Sequence, residues 1–131
     1  MPNVWSVRAH RLYLWAPVVV YMAAIFYVSG LSIAPLPEEV SDKTGHFVAY
    51  AGLGLLCVRA VGGGLPCRVV LRVAALALAI AAAYGAFDEI HQWFVPGRSA
   101  DIRDWFADVS GVLIGIGVCW LWGIIAVRSD V

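Results

Sequence analysis

Apolar positions along the chain gather into four segments separated by short polar stretches. Residues 12–31 run 20 positions without a charge. As a helix at about 1.5 Å per residue they reach across a hydrocarbon layer of about 30 Å. Residues 109–127 form a second clean run. The middle segments are shorter: Phe47–Val58 has 12 residues before Arg59, and 73–87 has 15 between Arg72 and Asp88. Twelve helical residues reach only about 18 Å. To span, the second helix must begin near Asp42 or continue to Val61, and the third must take in Val69–Leu71 and run on toward Gln92. The pattern predicts an all-α, integral membrane four-helix bundle forming a single domain over 1–131, with helices near 12–31, 43–61, 69–92 and 104–127.

Composition sharpens this reading. The chain is 62% hydrophobic and 14% charged, with a mean hydropathy of +0.83. That is about half the charge of an ordinary soluble domain, and a water-soluble domain of this size leaves too much surface exposed to hide the remainder. A net charge of zero excludes a nucleic-acid footprint. Arg8 and Arg11 before the first segment resemble a secretory leader. However, the small-residue pair Ser32 and Ala34 is followed by Pro35 and the apolar run is long, so a retained helix is expected. Cys57, Cys67 and Cys119 have no metal-type spacing and read as small apolar residues.

Four crossings put Arg8, Arg11, Arg59, Arg68, Arg72 and Arg128 on one side, against Lys43, Arg98 and Arg103 on the other. The preference of basic loops for the cytoplasm places both termini inside and residues 32–46 and 88–108 outside. Trp105, Trp120 and Trp122 sit where interfacial anchors belong. Six of the 18 charged residues fall within DEIHQWFVPGRSADIRD at 88–104. Ionisable groups on helices too short to lift them clear of the bilayer mark a site.

Asp42, His46 and Tyr50 recur at four-residue spacing and share a helical face, with Gly45 and Ala49 beside it to admit a neighbouring helix. Ser41 or Asp42 reads as the cap. A cap does not account for His46 one turn deeper. Asp88, His91 and Gln92 share a second face while Glu89 points elsewhere, toward solvent. Pro96–Gly97 signals a turn, and Arg98 follows with a guanidinium suited to phosphate or carboxylate. Asp101, Asp104 and Asp108 lead into the fourth helix. Acids in a first turn are ordinary dipole partners, which explains Asp104 but not Asp108. Gly111, Gly115 and the alanines at 74, 75, 81 and 82 read as packing surface. The donor types allow a divalent cation, although no zinc motif such as HExxH is present and no other cofactor is indicated.

DKTGHFVAYAGLGLL (42–56) and DEIHQWFVPGRSADIRDWFADVSGVLIG (88–115) resemble the VanZ-like family of small membrane proteins, named for a teicoplanin-resistance protein. The resemblance covers more than half the chain, with both blocks in order. Kinship with enzymes acting on phosphate-containing lipid headgroups implies a site lined by Asp42, Lys43, His46, Tyr50, Asp88, Glu89, Gln92, Arg98, Asp101 and Asp104. His91 matches a less defining position. Family members commonly carry asparagine where this chain has Asp108, and an added carboxylate there bears on metal affinity or on a neighbour's ionisation.

The leading expectation is a multi-pass cell-membrane enzyme that cleaves or transfers lipid-linked phosphate headgroups at the extracytoplasmic face. His46 would be nucleophile or general base, Asp42 or Asp88 its orienting partner, and Arg98 and Lys43 phosphate ligands, with Asp101 and Asp104 positioning Arg98 or a cation. Its partners would be membrane lipids or lipid-linked cell-wall precursors, which ties it to glycopeptide resistance. The alternative is a non-catalytic protein that binds or shields such precursors. A transporter ranks last, because the inner halves of the helices carry no polar relay.

Overall fold

The structure, a computed structural model, describes residues 4–33 and 36–129, with side chains between 6 and 126. Ala34 and Pro35 of the leader motif, the side chain of Arg128, and Asp130 lie outside the described residues. Four helices follow in order: α1 Val4–Ser29, α2 Asp42–Gly62, α3 Leu71–Trp93 and α4 Ile102–Ser129, with no strand among the described residues. All four are long and apolar enough to cross a membrane.

The second helix resolves the difficulty posed by Arg59. It extends at both ends rather than one, and its 21 residues reach about 32 Å. Ser41 is its N-cap, the hydroxyl accepting from Thr44 N at 3.2 Å. At its other end Gly63, at φ 82°, takes the left-handed conformation that glycine reaches without steric cost. Arg59 lies inside α2 and donates to the carbonyls of Tyr13 and Leu14 at 3.2 and 3.1 Å, over the Tyr13 ring. Pro17 sits within α1 and brings no N–H to the Tyr13 carbonyl four residues earlier. The guanidinium satisfies the oxygen that the proline leaves.

Arg59 thus ties the second half of α2 to the first half of α1, while Val28 and Ser29 at the end of α1 face Asp42 at the start of α2 across a shared cavity. Gln92 near the end of α3 lines the same cavity, and Lys43 meets Asp104 at the start of α4. The helices therefore run up, down, up and down, and the two polar blocks meet at one end. Arg59, Arg68 and Arg72 lie at the other.

α2 and α4 pack most closely. Alanine β-carbons at Gly111 and Gly115 would strike the backbone carbonyls of Phe47 and Ala51, and one at Gly54 would lie 2.8 Å from Val112 O. These glycines let two backbones touch, the usual means of adhesion where apolar side chains gain nothing by leaving lipid. α1 rests on α2 and α3 and makes no contact with α4 among the described residues. Two hydroxyls clamp it: Tyr21 donates to Ala49 O at 2.9 Å and Tyr84 to Met22 O at 2.6 Å. Trp105, expected as an interfacial anchor, instead donates into the bundle, to Ala82 O at 2.9 Å.

Candidate functional site

The turn between α3 and α4 brings the second polar block back over the bundle. Val95, Pro96, Gly97 and Arg98 form a type II turn: Arg98 N donates to Val95 O at 3.1 Å, and Gly97 supplies the positive φ of 83°. Val95 is buried while Trp93 and Phe94 stay exposed. Arg98 is thereby returned onto Gln92 Oε1, 3.0 Å away, and lies 3.5 Å from Asp42 Oδ2. Gln92 in turn donates to Asp88 Oδ2 at 3.3 Å.

Asp101 caps α4, its carboxylate accepting from Arg103 N at 2.9 Å. The Arg103 guanidinium lies against the same carboxylate and holds its pKa down to about 2. Glu89, expected to face solvent, is buried, because its Oε2 accepts from Asp101 N at 2.9 Å where α4 begins. Its reach across the turn draws it inward.

His46 sits at the centre. Its Nδ1 lies 2.8 Å from Asp108 Oδ1 and 3.9 Å from Glu89 Oε1. A carboxylate only accepts, so with no ion between the two groups Nδ1 carries the hydrogen of the shorter contact. The partner that fixes His46 is therefore Asp108, where Asp42 or Asp88 was expected. The signal for Asp108 was present in the sequence as a carboxylate followed by an uninterrupted apolar run. What the sequence concealed was Gly85, whose missing side chain makes the space: a β-carbon there would lie 2.9 Å from Asp108 Oδ2.

A cavity of about 290 Å³ opens beside His46. One wall is polar: Asp42, His46, Tyr50, Asp88, Gln92 and Arg98. The facing wall is apolar and comes mainly from α1, with Tyr21, Ala24, Ile25 and Val28, helped by Leu36. Leu36 lies over Gly45, so Gly45 receives a loop side chain rather than a helix. The hydroxyl of Tyr50 is buried without a hydrogen-bond partner in the protein.

The remaining expected residues lie apart from the cavity. Lys43 pairs with Asp104 at 3.0 Å and Asp101 at 3.6 Å, forming an ion cluster above α4. Asp101 and Asp104 thus position Lys43 rather than Arg98. His91 turns toward α1 and stacks on Phe26 at 4.0 Å between ring centres. Among the described residues, two groups of three donors fall within 4.8 Å of one another and share His46: Asp42 with Asp104, and Glu89 with Asp108.

Comparison with curated proteins and with solved structures finds no match in either. A family model does match, over residues 6–123 and hence beyond the two motif blocks on both sides. The chain belongs to the VanZ/LLP1 family.

Proposed function

We propose that this protein acts on the phosphate headgroup of a membrane lipid or lipid-linked cell-wall precursor, by hydrolysis or headgroup transfer at the extracytoplasmic face. One observation carries the reading: polar and apolar walls face each other across a single cavity at the same depth in the bundle. Tyr21 lies eight residues before the end of α1, about 12 Å along its axis, and Tyr50 lies eight residues into α2. A free anion needs no apolar wall at that depth, whereas a lipid, whose chain continues from its phosphate, fits both. The orientation rests on Arg59, Arg68 and Arg72 lying at the opposite end.

In this reading Arg98, braced by Gln92 and Asp42, binds phosphate oxygen. His46 is the proton-transfer group. Its Nδ1–H is fixed by Asp108, and its Nε2 takes the proton of an attacking water or lipid hydroxyl as the new P–O bond forms. The bond from phosphorus to the departing oxygen breaks, and that oxygen receives the proton. Glycopeptide resistance would follow from altered envelope lipids or precursors.

The test incubates purified wild type, His46→Gln and Arg98→Ala with phospholipids and undecaprenyl-linked precursors and reads products by mass spectrometry. A product lost in both variants supports the enzyme. Binding without turnover, lost in Arg98→Ala and retained in His46→Gln, would instead establish a protein that shields its lipid.

A further inference from the structure

Charge is unbalanced around His46. From the start of α2 onward, six carboxylates (Asp42, Asp88, Glu89, Asp101, Asp104 and Asp108) meet three cations at this end of the described bundle. Lys43 and Arg103 are engaged with Asp101 and Asp104, and Arg98 lies against Asp42. Of the four buried acids, Asp104 is paired with Lys43, whereas Asp88, Glu89 and Asp108 have no basic side chain except His46 for two of them. Each of these three also keeps one oxygen with no hydrogen-bond partner in the protein: Asp88 Oδ1, Glu89 Oε1 and Asp108 Oδ2. Asp108 is 0% exposed and Glu89 7%. Buried carboxylates in such surroundings are costly unless paired with positive charge.

The geometry assigns a divalent cation site to His46 Nδ1, Glu89 and Asp108, one that deepens the reading of the adjoining cavity as a phosphate site and rests on it only for its role. The donors span three elements and lie within 4.8 Å of one another. Around an ion at about 2.0–2.2 Å, neighbouring donors stand about 3–3.5 Å apart. The observed separations from Nδ1, 2.8 Å to Asp108 and 3.9 Å to Glu89, bracket that range. Moves of about half an ångström bring both carboxylates to that spacing from Nδ1. One imidazole nitrogen with two carboxylates favours a first-row transition ion such as Mn²⁺ over the all-oxygen preference of Ca²⁺ or Mg²⁺. Asp42, which falls with Asp104 and His46 in the second donor group, is exposed and lines the cavity, and so marks the way in.

A consequence follows for His46. With an ion on Nδ1, the ring proton would reside on Nε2, so in the ion-loaded protein His46 would act as the proton donor to the departing oxygen, where in the ion-free protein it acts first as the base. The ion would then add positive charge among the buried carboxylates, beside that which Arg98 offers the phosphate.

The test is Mn²⁺ binding to the purified full chain in nanodiscs after chelation, read by loss of the free-ion EPR signal. One ion per chain is expected, showing ¹⁴N coupling from a single imidazole by electron spin-echo modulation. Binding should weaken at least tenfold in Glu89→Gln and in Asp108→Asn and stay unchanged in Asp101→Asn. The coupling in wild type needs no variant to fold. Absence of stoichiometric binding, a bound ion without ¹⁴N coupling, or wild-type affinity in both Glu89→Gln and Asp108→Asn overturns the site. Lipid turnover is scored separately. An ion bound without turnover leaves the cation site standing and removes the lipid reading; turnover that survives chelation with no ion bound removes the cation site alone.

Discussion

Gly111 stands three residues beyond Asp108 and faces Phe47, the neighbour of His46, so the seam between α2 and α4 sets the spacing of the central pair. In Gly111→Ala the new β-carbon would strike Phe47 O and lie 3.0 Å from Ala51 N. Restoring ordinary contact at 3.4 Å to Ala51 N takes 0.4 Å, and the Phe47 oxygen demands more. Both obstacles are backbone, so no side chain can swing aside and the helices must part. The His46–Asp108 contact, 2.8 Å in the native seam, then stretches toward the limit of about 3.2 Å for a good N–H···O bond. Overpacking costs about 1–3 kcal/mol. Gly117→Ala is the reference, because a β-carbon there meets nothing within 4 Å and the gain in helix propensity, about 0.5–1 kcal/mol, is common to both. Unfolding in mixed micelles by SDS titration should place Gly111→Ala about 1–3 kcal/mol below Gly117→Ala. Lipid turnover should fall in the first and persist in the second. Equal stability of the two would refute the account of a backbone-to-backbone seam.

Arg59→Met should destabilise by about 1.5–3 kcal/mol, the value of hydrogen bonds to a charged group. Pro17→Ala should reduce that loss by restoring an N–H to the Tyr13 carbonyl, and a double-mutant cycle measures the coupling. Tyr50→Phe should leave stability unchanged or raised, because its buried hydroxyl has no partner to lose, while lipid turnover falls if that hydroxyl meets substrate; thermal scans and product analysis separate the two. Asp101, whose pKa is lowered, stays ionised until pH falls through about 2, so its pairing with Arg103 persists at pH 4 and is lost only below. Arg103→Ala should return its titration to the ordinary carboxylate range near about 4, read by ¹³C NMR of the labelled carboxyl.

The four spans were legible because apolar run length is a direct physical requirement of the bilayer. Even the two short runs were informative, since Arg59 and Asp88 marked where helices must carry polar side chains. The Pro96–Gly97 turn was legible from chemistry confined to adjacent residues. Three-dimensional choices among like groups were not. Asp42, Asp88 and Asp108 were all suitable partners for His46, and the selection depends on α4 meeting α2 at Gly111 and Gly115 and on the space left by Gly85. Glu89 was misdirected for the same reason: helical phase alone turned it outward, whereas a backbone N–H across the turn draws it in. His91 shares its helical face with Asp88 and Gln92 in sequence, yet its ring finds Phe26 on α1.

The most direct measurement of the central claim is mass spectrometry of lipids recovered from proteoliposomes that hold wild type or His46→Gln together with phospholipid and undecaprenyl-linked precursors. The account predicts a headgroup-cleaved or headgroup-exchanged product that accumulates with wild type and is absent with His46→Gln. An identical lipid profile in both, with wild type folded and its lipid bound, would contradict it.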